Sequence, residues 1–377
     1  MKIAFLISTF PPKVGGMGQV AYEEAKRLAT HGHEVTVFTL DYPDLDLSFD
    51  LDQKFKIVRL RSLRFGDAGF APQLICRLKG FDLVHLHYPF YGSAHCAFMA
   101  KVLNDQKYLL TYHMDARPVG FLKKFLQKVY DFLWAKVLLK NAVGIITVDR
   151  EHLLAADYIK FIAVKKVIEI SNAVDTNIFT PELGVSDSEF LLEYKNKNII
   201  LFVGNPLPFK RLDFLLQAIP KLTTPNTVLL INSGGYEIEK YKKIVDNLGV
   251  NDKVKFIGRQ KDQSDLAKLY RRAQCLVVPS TSSAESFSLV ALEAQACGCP
   301  VIVSNVVGIR NRVDNNQNGY WFQTDSVDDL VQKIDQLLNL SSEQRLAFRQ
   351  HAYLKVSQNY SWDKHVADLE KYYQSLC

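Results

Sequence analysis

The stretch that decides the fold is Glu285-Ser-Phe-Ser-Leu-Val-Ala-Leu-Glu293, followed at once by Ala-Gln-Ala-Cys-Gly-Cys-Pro-Val-Ile-Val. The two carboxylates stand eight residues apart, the first after an apolar strand-like segment, Cys275–Val278, and the second in a helix-forming run. Another apolar segment, Val301–Ser304, follows. This order predicts parallel strands with Glu285 at the carboxyl end of one, where open α/β sheets bind ligands. A helix that begins near Phe287 would offer backbone N–H groups to a phosphate, and the carboxylates would suit sugar or ribose hydroxyls.

Short apolar runs alternate with amphipathic stretches of helical length along the rest of the chain. The runs include Ile3–Ile7, Val35–Thr39, Leu83–Leu86, Tyr108–Leu110, Gly144–Val148, Ile199–Val203, Val228–Ile231 and Val254–Ile257. This alternation predicts an α/β protein in which parallel sheets carry helices on both faces. The length of 377 residues suits two domains, and the polar region 180–196 suits a boundary between them.

Several motifs, taken in order along the chain, resemble glycosyltransferase family 4. They are Phe10-Pro-Pro-Lys-Val-Gly-Gly-Met-Gly18, His31–Val37, Thr111-Tyr-His113, Ser171–Asp175, Phe202-Val-Gly204, Lys210-Arg-Leu-Asp213, Gly258-Arg259, the Glu285/Glu293 pair and Tyr360-Ser-Trp362. The resemblance implies the GT-B fold, which has two Rossmann-like domains, an interdomain cleft and a C-terminal helix that crosses back to the N-terminal domain. We therefore expect an acceptor-binding domain at 1–180, joined by helix 361–377, and a nucleotide-sugar donor-binding domain at 196–360.

The resemblance also implies roles for residues of the second domain. Glu285 would bind donor-sugar hydroxyls, Glu293 would bind both ribose hydroxyls, and Lys210 would neutralise the departing diphosphate. The other implied donor-binding positions are Gly16, Gly18, Asn205, Arg211, Arg259, Gln260, Phe287, Ser288 and Leu289. The family more often has Arg in place of Asn205, and Gly in place of Ser286 and Ser288, which leaves the donor's identity open.

His113 and Asp115 follow the predicted strand Tyr108–Leu110. A family His at this position reaches the donor sugar or shapes the reactive centre, so we expect His113 to be catalytic together with Glu285 and Lys210. Asp115 fits acceptor binding or helix capping equally well. Without an evident covalent nucleophile, the resemblance implies that the departing diphosphate oxygen deprotonates the acceptor.

The expected function is a retaining, metal-independent transfer of a hexose from GDP-mannose or a UDP-hexose to a hydroxyl of a glycan or lipid-linked acceptor. Such a reaction belongs to cell-envelope polysaccharide or glycolipid synthesis and needs no cofactor. Two other classes stay open. The pattern Gly16-x-Gly18-x-x-Ala21 also fits an NAD(P)-dependent oxidoreductase, although Pro11–Val14 spoils the tight turn of that fingerprint. A catalytically silent sugar-nucleotide-binding protein is the other class.

The composition indicates which partners and which cellular compartment to expect. The six cysteines form no CxxC pair, which is typical of reduced thiols in a cytoplasmic protein and provides no metal signature. The net charge of +6 is modest and no nucleic-acid-binding motif is present, so we expect no nucleic acid partner. Residues 119–143 interleave lysines with Phe, Leu and Trp, a pattern that predicts peripheral contact with an anionic membrane at the inner membrane surface.

Overall fold

The computed structural model describes residues 1–13, 15–43, 45–115, 120–156, 158–162, 166–181, 189–235, 237–260, 262–281 and 285–376. It divides into two compact units. Unit 1 comprises Met1–Asn172 and Asp363–Cys377, and unit 2 comprises Ala173–Trp362. Three parts of the predicted segments lie outside the described residues: 182–188 of the boundary region, the first residue of the basic segment (119) and the last residue of the C-terminal helix (377).

Unit 1 is built on a parallel sheet. Its strands are β1 (Lys2–Ile7), β2 (Glu34–Leu40), β3 (Lys56–Leu60), β4 (Leu63–Phe65), β5 (Ala68–Phe70), β6 (Leu83–Tyr88), β7 (Tyr108–Tyr112), β8 (Ile145–Thr147) and β9 (Val167–Glu169). Seven of them form one sheet in the order β3-β2-β1-β6-β7-β8-β9, while β4 and β5 pair as an antiparallel hairpin. The strand order reverses between β1 and β6, and such a switch point is where open α/β sheets bind ligands.

Helices cover both faces of this sheet. They are α1 (Gly16–Thr30), α2 (Ser48–Leu51), α3 (Leu74–Arg77), α4 (His95–Asn104), α5 (Phe121–Tyr130), α6 (Lys136–Asn141) and α7 (Arg150–Leu154), with one π-helical turn, Asp131–Ala135, between α5 and α6. Strand β1 is buried on both faces because its side chains alternate between two cores. Ala4 and Leu6 belong to one core, and Ile3, Phe5 and Ile7 belong to the other.

Unit 2 is also built on a parallel sheet with helices. Its strands are β10 (Asn198–Val203), β11 (Thr227–Asn232), β12 (Val254–Phe256), β13 (Cys275–Val278), β14 (Val301–Ser304) and β15 (Gly319–Phe322). Its helices are α8 (Leu212–Ala218), α9 (Ile238–Leu248), α10 (Gln263–Arg272), α11 (Leu289–Ala296), α12 (Val327–Leu338) and α13 (Ser342–Asn359). The parallel sheet has the order β12-β11-β10-β13-β14-β15, so its switch point lies between β10 and β13.

The last helix, α14 (Trp362–Leu376), returns to the first unit. Its Val366, Leu369 and Tyr373 are buried in the core that contains Phe5 and Ile7. The α/β class, the two Rossmann-like units and the returning C-terminal helix are therefore confirmed. The contact division falls after Asn172, eight residues before the end of the first domain as we placed it from the sequence.

The helix of the Glu285/Glu293 stretch begins at Leu289, two residues later than the predicted start near Phe287. The reason is local, because Ser288 has a left-handed backbone with φ of 60° and closes the loop before the helix. The predicted strand Val301–Ser304 has those bounds in the structure. The predicted Leu83–Leu86 and Tyr108–Leu110 each continue for two residues, to Tyr88 and Tyr112.

Candidate active site

Lys210 and Glu285 meet at the switch point of unit 2. Lys210 ends a 3-10 turn, Pro208–Lys210, in the connection after β10, and Glu285 lies in the connection after β13. The ammonium Nζ of Lys210 donates a hydrogen bond of 2.6 Å to Oε1 of Glu285, and the hydroxyl of Ser280 donates to Oε2. Glu285 is buried with only 6% of its surface exposed, so its two oxygens are held in fixed positions. A cation and an oriented carboxylate are thereby set side by side.

Glu293 lies on α11 and accepts a hydrogen bond of 2.9 Å from the hydroxyl of Tyr270 on α10. Burial raises the pKa of the Glu293 carboxyl to about 7, against the opposing effects of the Tyr270 hydrogen bond and the Lys210 charge. The charge of Lys210 lowers the pKa of Glu293, so Glu293 lies within the electrostatic field of the Lys210–Glu285 pair. This carboxyl therefore changes its charge near neutral pH.

Phe287 anchors the loop between the two carboxylates. Its ring is buried, meets Tyr360 edge to face at a centroid distance of 6.0 Å, and lies 4.2 Å from the guanidinium carbon of Arg312. Ser288 follows, and Leu289 opens α11, whose first turn contains no acidic side chain. A helix N-terminus of this kind favours an anion through its N–H groups and its dipole.

The other residues of unit 2 that we predicted to bind the donor have different environments. Asn205 is exposed just after β10, and after β12 Arg259 is exposed and Gln260 is half-buried. Arg211 forms ion pairs with Asp325, at 2.8 Å, and with Asp213, at 3.4 Å. The structure thus brings together Lys210, Glu285 and Glu293, whereas the guanidinium of Arg211 is engaged by other carboxylates.

In unit 1 the glycine loop after β1 leads into α1, which begins at the exposed Gly16. Gly18 is buried, and a Cβ placed on it would lie 2.7 Å from the backbone oxygen of Thr9. Gly18 therefore permits the close packing of α1 against Thr9, at the start of the loop that follows β1. The structure thus supports a packing role for Gly18, whereas Gly16 is exposed at the first position of α1.

His113 is buried just after β7. Its backbone N–H donates to the carbonyl of Tyr88 at 3.0 Å, and its ring Nε2 lies 3.0 Å from Nδ1 of His87. Burial, helped by the charge of His365, lowers the pKa of His113 to about 3, so the ring is neutral at physiological pH.

Asp115 is also buried and accepts a hydrogen bond from the hydroxyl of Tyr112. The N-cap residue of the next described helix, α5, is Gly120. Asp115 is therefore not the N-cap of α5, and both acceptor binding and helix capping stay predictions for it.

The sequence patterns assigned no site role to several polar side chains that lie near these residues: Ser280 and Tyr270 in unit 2, and Glu24, His85, His87 and His365 in unit 1. One signal was available in the sequence. Glu24 falls on the face of α1 that buries Ala21, Ala25 and Leu28, where a carboxylate needs partners.

Comparisons with known proteins identify the family of the chain. The profile described as "Glycosyltransferase Family 4" matches residues 14–178, and the profile described as "Glycosyl transferases group 1" matches residues 186–355. An uncharacterized glycosyltransferase of Methanocaldococcus jannaschii is 30% identical over 307 residues, which cover 80% of this chain and 78% of that protein. The chain belongs to glycosyltransferase family 4.

This family 4 glycosyltransferase is also 26% identical to the N-acetyl-alpha-D-glucosaminyl L-malate synthase of Bacillus anthracis, over 92% of this chain and 89% of that protein. Among solved structures its fold is similar to that of Anabaena HepE in complex with UDP. The two chains superpose with a TM-score of 0.81 over 100% of each at 18% identity, which shows a shared fold.

Proposed function

We propose that this glycosyltransferase moves a hexose from a nucleotide-sugar to a hydroxyl of a glycan or lipid-linked acceptor, with retention of configuration and without a metal ion. The observation that carries the proposal is the hydrogen bond between the partly exposed Lys210 and the buried Glu285 at the switch point of unit 2, with Glu293 close enough for its pKa to respond to Lys210. A cation suits a diphosphate, and two carboxylates suit the hydroxyls of a sugar and a ribose. This combination is what a nucleotide-sugar presents.

The proposed chemistry divides the work between substrate and protein. The bond between the anomeric carbon and the diphosphate oxygen breaks, and the acceptor oxygen bonds to that carbon on the same face. The acceptor's proton passes to the departing diphosphate. Lys210 and the N-terminus of α11 stabilise the charge that develops on the diphosphate, while Glu285 orients the sugar. The proposed role of His113 is at the donor sugar, and that of Asp115 is at the acceptor.

For the donor we retain GDP-mannose and the UDP-hexoses. The structures of Anabaena HepE with UDP and with UDP-glucose favour testing uridine nucleotides first. The proposed setting is cell-envelope polysaccharide or glycolipid synthesis.

An exposed apolar surface in unit 1 supports the proposal of a lipid-linked acceptor. None of the residues of α5 is buried, and Phe121 and Phe132 are each 87% exposed. The other exposed apolar residues of this segment are Leu122, Phe125, Leu126, Val129 and Leu133. None of the described helices is both long and apolar enough to cross a membrane.

Hydrogen bonds to two tyrosines hold this exposed segment against the rest of unit 1. Gln127 donates to the hydroxyl of Tyr91 at 3.1 Å, and the hydroxyl of Tyr158 donates to Asp131 at 2.5 Å. The β4–β5 hairpin adds Leu63, Phe65 and Phe70, all exposed, and Lys123 lies 5.8 Å from the ring of Phe65. An apolar surface with lysines around it fits an anionic membrane, and we propose that it docks there.

Vesicle sedimentation tests the docking. The wild type is expected to bind vesicles that contain phosphatidylglycerol and not vesicles of phosphatidylcholine alone. The variant Phe121→Ser/Phe125→Ser/Phe132→Ser should lose this binding, whereas Leu346→Ser/Leu354→Ser, which alters exposed leucines of α13, should retain it. Equal binding by both variants would contradict the proposed surface.

A donor screen tests the activity. Purified protein is incubated with radiolabelled UDP-glucose, UDP-galactose, UDP-N-acetylglucosamine or GDP-mannose and a lipid extract, with EDTA present. Transfer or slow hydrolysis of one donor, lost in Glu285→Ala, is the expected result. Tight nucleotide binding without either reaction would favour the catalytically silent alternative, and activity only after metal is restored would contradict metal independence.

A further inference from the structure

A buried arginine of unit 2, Arg312, lies against the loop that precedes α11. Arg312 ends a 3-10 turn, Arg310–Arg312, and only 3% of its surface is exposed. Its guanidinium carbon lies 4.2 Å from the centre of the Phe287 ring and 5.3 Å from that of the Tyr360 ring. Its Nη1 donates a hydrogen bond of 3.3 Å to the hydroxyl of Tyr360. The ring of Phe287 therefore packs against both a cation and a second aromatic ring.

The main chain of Arg312 is tied to the helix that follows this loop. The side-chain Nε2 of Gln295, within α11, donates to the carbonyl of Arg312 at 2.9 Å and to that of Ala291 at 3.1 Å. Gln295 is fully buried. Arg312 thus contacts the loop through its side chain and α11 through its main chain, so it fixes the position of one relative to the other.

The loop ends in a strained residue. Ser288, the N-cap residue of α11, has φ of 60° and ψ of 79°, in the left-handed region that residues other than glycine adopt only at a cost in free energy. Such a conformation persists where the surrounding structure holds it. Phe287 directly precedes Ser288, so the contacts made by its ring act on the strained segment.

We propose that Arg312 is a positioning residue that holds Phe287, and through it the strained backbone of Ser288, so that the N–H groups at the start of α11 point at the diphosphate of the donor. This inference rests on the proposed function for the identity of that ligand, whereas the hold on the loop is a property of the free protein. Donors at a helix start stabilise a phosphate when their direction is fixed in advance, and a misplacement of about 1 Å costs up to about a hundredfold in rate.

The competing interpretation is that Arg312 contributes only to the stability of unit 2. The two interpretations predict different results. Loss of a purely stabilising residue lowers the fraction of protein that is folded. Loss of a positioning residue lowers the turnover of folded protein, and relief of the strain at Ser288 should compensate for it.

A pair of double variants separates these interpretations. Arg312→Met removes the cation, and its turnover should fall about tenfold to a hundredfold in protein that circular dichroism shows to be folded. Glycine adopts the left-handed region without strain, so adding Ser288→Gly should restore turnover by about threefold or more. Asn226→Gly is the matched control, because Asn226 also has a positive φ, 55°, in an exposed turn of unit 2. The same relief of strain there should restore nothing.

Two results of this experiment would overturn the proposal. One is wild-type turnover in Arg312→Met. The other is a recovery with Asn226→Gly as large as that with Ser288→Gly, since a general gain in stability would then explain both.

Fluorine NMR of the full chain, with para-fluorophenylalanine in place of Phe287, tests the hold on the loop without any substrate. We expect one sharp signal, which Arg312→Met should shift and broaden. Arg312→Lys keeps a cation but not the planar guanidinium, so it should perturb the signal less, and it carries the test if Arg312→Met does not fold. A signal unchanged in both variants would overturn the proposal. A perturbed signal in a protein that transfers no sugar would count against the proposed function and leave the role of Arg312 in the loop supported.

Discussion

Lys210 and Glu285 are 75 positions apart in the sequence, yet their side chains meet at 2.6 Å. They meet because β10 and β13 are neighbours at the one point where the strand order of the sheet reverses. The connections after both strands therefore open on the same edge of the sheet. Without ligand, the carboxylate of Glu285 balances the charge of Lys210. A bound diphosphate would take over that role and leave Glu285 to the hydroxyls of the sugar.

Removing either member of this pair should abolish most of the activity. We expect Lys210→Ala and Glu285→Ala each to lower turnover by at least about a hundredfold, because preorganised charge at the departing group contributes on that scale. Circular dichroism should show both variants folded. Lys221→Ala, which breaks the exposed ion pair with Asp328, is the matched control and should keep its rate. Wild-type turnover in both site variants would refute the assignment.

Nucleotide binding should strengthen as the pH rises from 6 to 8. The pKa of Glu293 is about 7, and its ionised form is the better acceptor for two ribose hydroxyls. Below pH 7 a proton must first be lost, which weakens binding by up to about tenfold per pH unit. Calorimetry over this range checks the slope, with Glu293→Gln as the reference. The same slope in that variant would assign the effect to the phosphates instead.

The Glu293 carboxyl should also make the stability of the protein depend on pH. Stability should fall as the pH rises, whereas nucleotide binding should strengthen. The pKa of this carboxyl in the folded protein is raised from the ordinary value of 4.5 to about 7, so between those values the folded state binds more protons than the unfolded state. The free energy of unfolding should therefore fall as the pH rises from 4.5 to 7, and then level off. Urea titrations should show a smaller fall for Glu293→Gln; identical curves would contradict the raised pKa.

Ser288→Gly should stabilise the protein by about 1 kcal/mol, because a side chain in the left-handed region costs about that much. The buried hydroxyl of Ser288 has no hydrogen-bond partner among the described residues, so its loss should cost little. Ser286→Gly, at a position outside that backbone region, should instead destabilise. The midpoint of chemical denaturation measures both changes, and a loss of stability in Ser288→Gly would count against the strained backbone.

Gly18→Ala should destabilise unit 1 by about 1–3 kcal/mol, since its Cβ would lie 2.7 Å from the Thr9 carbonyl oxygen. Gly15→Ala is the matched control. Its Cβ would meet nothing closer than the Thr9 hydroxyl at 3.7 Å, and its φ of 179° is open to any residue. Denaturation midpoints that fall equally in both variants would contradict a specific packing role for Gly18.

Much of the fold could be predicted from the sequence, because buried parallel strands appear as unbroken apolar runs. Strands such as β1, β10 and β13 were found for that reason. The edge strands β3 and β15 were not singled out; β3 is only partly buried, and β15 is a four-residue strand that begins with glycine. The start of α11 was misplaced because the backbone angle of Ser288 is not encoded in residue periodicity.

The predictions for the site divide in the same way. The Lys210–Glu285 contact follows from the strand order, whereas the sequence only placed Glu285 at the carboxyl end of a strand and assigned both residues to the donor site. The partners that arrive from distant segments could not be predicted, because Tyr270 reaches Glu293 from another helix and His365 reaches Glu24 from the far end of the chain. These contacts depend on how the helices pack on the sheet, and hydrophobic patterning does not specify which polar groups will meet there.

The most direct test of the central claim is calorimetric titration of the wild type and Glu293→Ala with UDP, GDP, ADP and NADH, each with EDTA and with magnesium. We expect metal-independent binding of one nucleoside diphosphate that weakens at least about tenfold in the variant, because paired charge-assisted hydrogen bonds are lost. If NADH bound equally well to the wild type and Glu293→Ala, and no nucleoside diphosphate bound, the donor site would be contradicted. That result would favour an oxidoreductase that binds its cofactor at the Gly16 loop.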